Sequence, residues 1–209
     1  SVALHLFDHL ETAVPLAAGE VPLLVETDYP KTGRIKITVG KNRPLPAFKL
    51  RVRVPGWCKE YSLSGVECAV SEENGYLVLE REWQPSDCIV LDFPMQIKRI
   101  YAHAKIHYNL GRVALSRGPV VYCIEDVDFG VPVQTIALPL SAELSEKAGD
   151  ELPVITGSAY AAVSNSKDEA GLYGETPPRL EPIPFQAVPY FSWGNRDEGG
   201  MLVYIREVR

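Results

Sequence analysis

Three carboxylates lie within four positions of one another at Glu125, Asp126 and Asp128. Paired carboxylates can serve as acid and base in catalysis, and oxygen-rich clusters bind hard cations. The alternative is a set of solvated carboxylates where a strand ends, because Glu125 and Asp126, as neighbours on a strand, would point to opposite faces. No calcium-loop pattern accompanies them. We therefore predict no catalytic residue in this cluster.

His103 and His107 are four positions apart, a spacing that places two imidazoles on one face of a helix for metal binding. The surrounding residues favour a strand instead. On a strand the two rings would lie roughly 13 Å apart, too far to share one metal at about 2 Å from each nitrogen. We expect ordinary surface or hydrogen-bonded histidines and predict no metal ligand.

The four cysteines form no CxxC pair and have no histidine at zinc-finger spacing; they are Cys58, Cys68, Cys88 and Cys123. Neither a structural zinc site nor a redox motif is indicated. We expect reduced, buried thiols, with two disulfides as the alternative that an even number allows. Unpaired cysteines favour a cytoplasmic location.

Trp57 and Trp83 each stand beside a predicted turn at a strand end. Sugar rings stack on exposed aromatic faces, so both residues are candidates for carbohydrate contact. Large aromatics at such places more commonly close the end of a β-sandwich. We predict that both pack in a core.

The stretch YFSWGNR at residues 190–196 combines aromatic faces, an amide and a guanidinium in a turn. We predict a sugar- or domain-contacting loop there, carried by Tyr190, Trp193, Asn195 and Arg196. The alternative is a hairpin connection in which both aromatics pack inward and Arg196 pairs with its acidic neighbours, Asp197 or Glu198.

The elements that position these groups are predicted to be strands, because short runs of alternating apolar and polar residues recur along the chain. Segments with the period of an amphipathic helix are nearly absent. The clearest strand is FKLRVRV at 48–54, and further strands are predicted at 34–39, 76–80, 88–93, 112–116, 120–124, 185–191 and 201–206. Gly118 and Pro119 are predicted to turn the chain between two of them, and Gly199 and Gly200 to form a hairpin turn. Residues 140–180 should be long loops around a weaker strand at 152–163.

The pattern predicts an all-β chain of two tandem antiparallel β-sandwich, jelly-roll-like domains, at 1–98 and 99–209. Hydrophobic residues make up 46% of the 209 positions, enough for full cores.

A net charge of −6 argues against a nucleic-acid partner, and the short apolar runs argue against a membrane span. Because the chain starts at Ser1 without a signal-peptide pattern, we expect a boundary within a longer protein.

Several long strings occur in a characteristic order: ETDYPKTGRIKITV at 26–39, LRVRVPGWC at 50–58, GYLVLEREW at 75–83, MQIKRIYAH at 95–103, GRVALSRGPVVYCIEDVD at 111–128 and VPYFSWGNRDEGGMLVYI at 188–205. Together they resemble the region that follows the catalytic domain in glycoside hydrolase family 127, the β-L-arabinofuranosidase family. The resemblance is weakest across residues 140–179.

The resemblance implies an N-terminal (α/α)6 barrel that carries the chemistry, with two β-sandwich domains packed onto it. In that family the proposed nucleophile is a zinc-bound cysteine, with two further cysteines and a glutamate as ligands and another glutamate as acid/base. The local patterns of that site, an adjacent cysteine pair and Glu-x-Cys, are missing here: Glu67 directly precedes Cys68, and Cys123 precedes Glu125 in reverse order. No cofactor is therefore expected in this chain, and zinc is implied only for the catalytic domain.

The sequence thus predicts a non-catalytic accessory region whose partner is its own N-terminal catalytic domain, and which would be inactive alone. It also suggests an exposed sheet face or edge for homo-oligomerisation. Two alternatives stay open: an independent carbohydrate-binding module, and a structural or protein-interaction β-sandwich.

Overall fold

The computed structural model describes residues 1–40, 45–164, 173 and 175–209. The described chain is built of strands, with only short 3-10 turns as helical elements, so the all-β prediction is confirmed. It divides into two compact units, Ser1–Met95 and Gln96–Arg209.

The described residues of the first unit form nine strands: β1 Val2–Leu4, β2 Leu10–Leu16, β3 Gly19–Thr27, β4 Arg34–Val39, β5 Phe48–Arg53, β6 Ser62–Gly65, β7 Ala69–Glu73, β8 Tyr76–Arg81 and β9 Asp87–Asp92. They form a four-stranded sheet in the order β1-β5-β8-β7 and a five-stranded sheet in the order β2-β3-β4-β9-β6. Pairing is antiparallel except between β1 and β5, which run parallel.

Alternating burial along these strands creates the core of the first unit. In β5 the side chains of Phe48, Leu50 and Val52 are buried while Lys49 and Arg53 are exposed, as the period of two predicts. Both sheets contribute to one hydrophobic cluster, which includes Leu50 from the first sheet and Ile37 from the second. The two sheets therefore enclose a shared core, the arrangement expected of a β-sandwich.

In the part of the second unit that the structure describes there are nine further strands: β10 Ile97–Ile100, β11 Arg112–Arg117, β12 Val120–Glu125, β13 Ile136–Pro139, β14 Ser145–Lys147, β15 Val154–Val163, β16 Arg179–Pro189, β17 Met201–Leu202 and β18 Ile205–Val208. The sheet order is β10-β11-β18-β13-β15-β16-β12-β17, and β14 adds to β15.

The second unit closes on itself where a sandwich was predicted. β11 pairs with β18 and also with β12, so the path from β11 through β18, β13, β15, β16 and β12 returns to its start as a six-stranded ring. β13 and β18 run parallel, which a purely antiparallel jelly roll would not contain. The ring closes because β12, the last strand of this path, pairs with β11, the first. Neither strand is therefore left with a free edge at that point.

The turn at Gly118 and Pro119 is confirmed. Arg117 of β11 pairs with Val120 of β12, so Gly118 and Pro119 form the whole connection. Gly118 has a φ of 54°, which a residue with a side chain rarely adopts. Pro119 has no amide hydrogen to leave unpaired at the turn.

Two expectations for the later part of the chain need correction. The strand predicted as weak at 152–163 is one of the longest, β15, and it pairs with β16 from Ile155 to Val163. Gly199 and Gly200 form no hairpin turn, because β16 and β17 both pair with β12 rather than with each other. The loops predicted at 140–180 lie partly outside the described residues, at 165–172 and 174.

The division between the units falls before Gln96, so Ile97 and Lys98 belong with β10 to the second unit. A boundary between residues 98 and 99 would cut through that strand. Among the described residues, no helix is long and apolar enough to cross a membrane.

Candidate functional site

The guanidinium of Arg196 bridges two carboxylates in the second unit. Its Nε donates to Oε2 of Glu125 at 3.1 Å, its Nη1 donates to Oδ1 of Asp128 at 2.7 Å, and its Nη2 donates to Oδ2 of Asp128 at 2.7 Å. Nη2 also contacts Oε2 of Glu125. Four of the five guanidinium N–H groups therefore have acceptors. Hydrogen bonds to Asp128 and Glu125 raise the pKa of Arg196 above its usual range, so it stays charged.

Strand endings bring these groups together. Glu125 is the last residue of β12, and Asp128 ends the 3-10 turn Asp126–Asp128 that follows it. Gly194 donates its backbone amide to Oε1 of Glu125 at 3.0 Å, and Gln186 on β16 donates from Nε2 to Oδ1 of Asp128 at 2.8 Å. Glu125 is only 3% exposed, but each of its oxygens accepts a hydrogen bond. This satisfies the condition under which a buried charge is tolerated.

Asp126 has a separate structural task. Its Oδ1 accepts from the Val133 amide and its Oδ2 from the Gly200 amide, both at 2.7 Å. A Cβ at Gly200 would lie 3.0 Å from Oδ2, and one at Gly199 would lie 3.1 Å from the Asp126 Cβ. The glycine pair therefore permits the close approach of the chain to this carboxylate. This close approach, rather than a hairpin turn, explains why two glycines stand at 199 and 200.

The predicted contact loop splits into two faces. Residues Tyr190–Ser192 form a 3-10 turn, in which side chains three positions apart lie one above the other. Tyr190 and Trp193 accordingly stack on each other at 6.3 Å between ring centroids and 12° between planes. They are 45% and 47% exposed, so the alternative of inward packing is wrong. Arg196 pairs with Glu125 and Asp128 rather than with its acidic neighbours in sequence.

A groove of about 370 Å³ lies beside this turn. One side is the connection from β14 to β15, from Lys147 to Leu152, and the other includes Gln186, Phe191, Asn195 and Arg196. The lining thus contains two of the four predicted contact residues, Asn195 and Arg196, and omits Tyr190 and Trp193. Phe191, which sequence reasoning missed, lines the groove and is 55% exposed. In a 3-10 turn, side chains three positions apart lie on one face, so Tyr190 and Trp193 share a face that does not include Phe191. The sequence spacing of these three aromatics could have indicated this difference.

Trp83 and Trp57 pack, as predicted. Trp83 is 4% exposed, stacks on Phe48 at 5.5 Å, and donates from Nε1 to the Phe48 carbonyl at 3.0 Å. Trp57 is half-buried against the same core and meets Phe93 edge to face at 6.0 Å.

His103 and His107 are exposed, but the strand predicted around them is absent. The segment from Tyr101 to Gly111 connects β10 to β11 and contains the 3-10 turn His107–Asn109. The strand pairing ends at Ile100, opposite Ala114, so no ladder continues through the histidines. Among the residues that the structure describes, no three His, Cys, Asp or Glu side chains are grouped to hold a metal.

All four cysteines are free thiols, which matches the expectation of reduced cysteines over disulfides. Cys58 and Cys123 are buried, whereas Cys68 and Cys88 are half-buried. Burial, reinforced by the neighbouring Glu125 charge, raises the pKa of the Cys123 thiol to about 12. Because the thiolate is the nucleophilic form, Cys123 is unreactive at neutral pH.

Comparison with known proteins matches each unit to a family model. Residues 1–95 match the β-L-arabinofuranosidase GH127 middle domain, and residues 97–206 match the glycoside hydrolase family 127 C-terminal domain. A non-reducing end β-L-arabinofuranosidase from Bifidobacterium longum is 30% identical over 203 aligned residues, which cover 86% of this chain and 29% of that protein.

Two solved structures have the same fold. A GH127 β-L-arabinofuranosidase from Geobacillus stearothermophilus T6 is 35% identical with a TM-score of 0.88, covering 99% of this chain and 33% of that one. A second glycoside hydrolase is 29% identical with a TM-score of 0.84, covering 99% of this chain and 36% of that one. The chain thus spans about a third of the length of these relatives. It belongs to glycoside hydrolase family 127 and corresponds to the middle and C-terminal domains of that family.

Proposed function

We propose that this chain is a non-catalytic accessory region of a glycoside hydrolase that resembles β-L-arabinofuranosidases. Its task would be to pack against an N-terminal (α/α)6 catalytic domain and support it. The family membership and the match to middle and C-terminal domains support the proposal.

The observation that carries it is the state of the acidic cluster. Acid/base catalysis needs a carboxyl group within reach of substrate and free to exchange a proton. Glu125 and Asp128 instead share the Arg196 guanidinium, and Asp126 accepts two backbone amides. Each carboxylate therefore has a fixed structural partner, and the cluster stabilises the junction of β12 with the segment after β16.

The residues present do not fit the zinc that the family resemblance implies. The four cysteines occur in two units, with Cys123 buried in the second, and the described part of the chain holds no group of three metal-ligating side chains. We therefore assign no step of catalysis through zinc to this chain. A zinc-bound cysteine, if used, would be a residue of the catalytic domain. Homo-oligomerisation through an exposed strand edge remains part of the proposal.

A substitution in the cluster tests the proposal. The protein to use is this chain joined to the coding sequence that precedes it in its gene, with p-nitrophenyl β-L-arabinofuranoside as substrate. Asp128→Asn removes a carboxylate but keeps an oxygen acceptor for Arg196, so kcat should stay within about twofold. Loss of a catalytic acid or base lowers the rate by about a hundredfold or more, and that result would refute the accessory role.

The matched control is Asp92→Asn in the first unit, where the side chain is half-buried at the end of β9. Equal and small effects of both substitutions support the proposal. A large fall in kcat with Asp128→Asn alone, in protein with unchanged circular dichroism, contradicts it.

A further inference from the structure

The groove between the β14–β15 connection and the 3-10 turn after β16 has the composition of a ligand site. Its volume of about 370 Å³ lies within the range of about 300–1,000 Å³ typical of small-molecule sites. A second cavity of about 380 Å³ shares Lys147 and Gln186 with it, so the depression continues along β15 and β16. This space is sufficient for more than one ring of a small ligand.

Several polar groups in the groove have unused hydrogen-bonding capacity. Within the described part of the chain, the Lys147 ammonium and the Asn195 side-chain amide make no hydrogen bond or ion pair. Gln186 donates to Asp128 through Nε2, which leaves its Oε1 as an acceptor. One N–H of Arg196 Nη1 is likewise available after its four bonds to the carboxylates. Donors and acceptors therefore converge from both sides of the groove.

The charges in the lining balance. Lys147 and Arg196 are offset by Asp150 and Glu151, and Glu125 and Asp128 already neutralise the Arg196 guanidinium from behind. An anionic ligand would meet these carboxylates and gain little net attraction. The exposed face of Phe191 adds an apolar surface at one side. An uncharged ligand with many hydroxyl groups and an apolar C–H face fits this combination.

The backbone around the groove is held in place. Arg196 is fixed by two carboxylates, and a Cβ at Gly149 would meet the Leu152 carbonyl oxygen at 2.3 Å, so the β14–β15 connection is tightly folded there. Fixed walls reduce the entropy that a ligand must overcome on binding. We infer that this groove of the C-terminal unit binds an uncharged saccharide, independently of the catalytic domain.

Binding to the 209-residue chain alone tests this inference, by isothermal titration calorimetry and saturation-transfer NMR with arabinotriose, maltotriose and trigalacturonate as probes. An uncharged trisaccharide should bind with a Kd on the order of 1 mM. Lys147→Ala and Asn195→Ala should each weaken that binding by roughly tenfold, because each removes one polar contact. Both side chains are exposed and make no hydrogen bond or ion pair among the described residues, so the thermal midpoint should not change.

The matched controls are Lys105→Ala and Asn109→Ala, which lie in the same unit but outside the groove lining. They should bind like the unsubstituted chain. The inference is overturned if no uncharged trisaccharide binds at a concentration of about 20 times the expected Kd, or if only trigalacturonate binds. It is also overturned if the control substitutions weaken binding as much as Lys147→Ala. The assay contains no hydrolysis step, so its failure leaves the accessory role unaffected and separately testable.

Discussion

Arg196 and Glu125 are 71 positions apart in sequence, yet Nε of Arg196 donates to Oε2 of Glu125 at 3.1 Å. The Glu125 side chain is 4% exposed, whereas the Arg196 side chain is 36% exposed. The pair therefore joins a buried strand end to a surface segment. It also gives the acidic cluster beside β12 a cationic partner within the same unit.

Removing the guanidinium should destabilise the second unit. Arg196→Met leaves Glu125 buried without a charged partner, at a cost of up to about 3–5 kcal/mol for a fully buried pair. Because Arg196 is partly exposed, we expect about 2–3 kcal/mol, measured by urea denaturation followed by circular dichroism. The double variant Arg196→Met/Glu125→Gln should recover part of this loss, since it also removes the uncompensated charge.

Arg179→Ala is the control, because Arg179 forms an exposed ion pair with Glu181 and is 68% exposed. Its effect should not exceed about 0.5 kcal/mol. Equal losses for Arg196→Met and Arg179→Ala would show that the buried bridge contributes no special stability.

The two tryptophans Trp83 and Trp193 should respond in opposite ways to truncation. Trp83→Ala removes a buried indole and its stacking on Phe48, and it should cost about 3–5 kcal/mol. Trp193→Ala removes a ring that is 47% exposed, and the expected cost is below about 1 kcal/mol. Thermal unfolding of both variants checks this difference, and a larger loss for Trp193→Ala would contradict the assignment of Trp83 to the core.

The Cys123 thiol should make stability fall at alkaline pH. Its pKa rises from an ordinary value of 9.0 to about 12 in the folded chain, because burial disfavours the thiolate. Between these values the unfolded chain loses the proton while the folded chain keeps it, so rising pH favours unfolding. The stabilisation is complete below pH 9.0 and is lost progressively towards about pH 12, by up to about 1.4 kcal/mol per pH unit.

The comparison that isolates this effect is Cys123→Ala, which lacks the thiol. The free energy of unfolding of the unsubstituted chain should fall more steeply between pH 9 and 10.5 than that of the variant. Parallel curves would mean that the Cys123 thiol ionises equally in the folded and unfolded chains.

Much of the fold follows from local patterns in the sequence. Strand β4 at Arg34–Val39 has the predicted bounds, and β5 has the predicted alternation of buried and exposed side chains. Such patterns are local, since a period of two needs only neighbouring residues. The closure of the second unit is not local, because it also depends on β11 pairing with β18, where Val113 lies opposite Ile205.

The site was predictable only in part for the same reason. The string at residues 190–196 indicated an exposed aromatic turn, and the structure shows Tyr190 and Trp193 exposed there. The partners of Arg196 could not be read from the sequence, since Glu125 and Asp128 are about 70 positions away. They approach it because β12 pairs with β16 and with β17, the strands on either side of the segment that contains Arg196.

The most direct test of the accessory role is hydrolysis of p-nitrophenyl β-L-arabinofuranoside by the 209-residue chain alone and by the chain joined to its preceding coding sequence. Both are assayed with added zinc and reductant at equal molar concentration. We predict release of nitrophenol only by the joined protein. Turnover by the chain alone would contradict it and would assign catalysis to residues of this region, with Glu125, Asp126 and Asp128 as the first to be substituted.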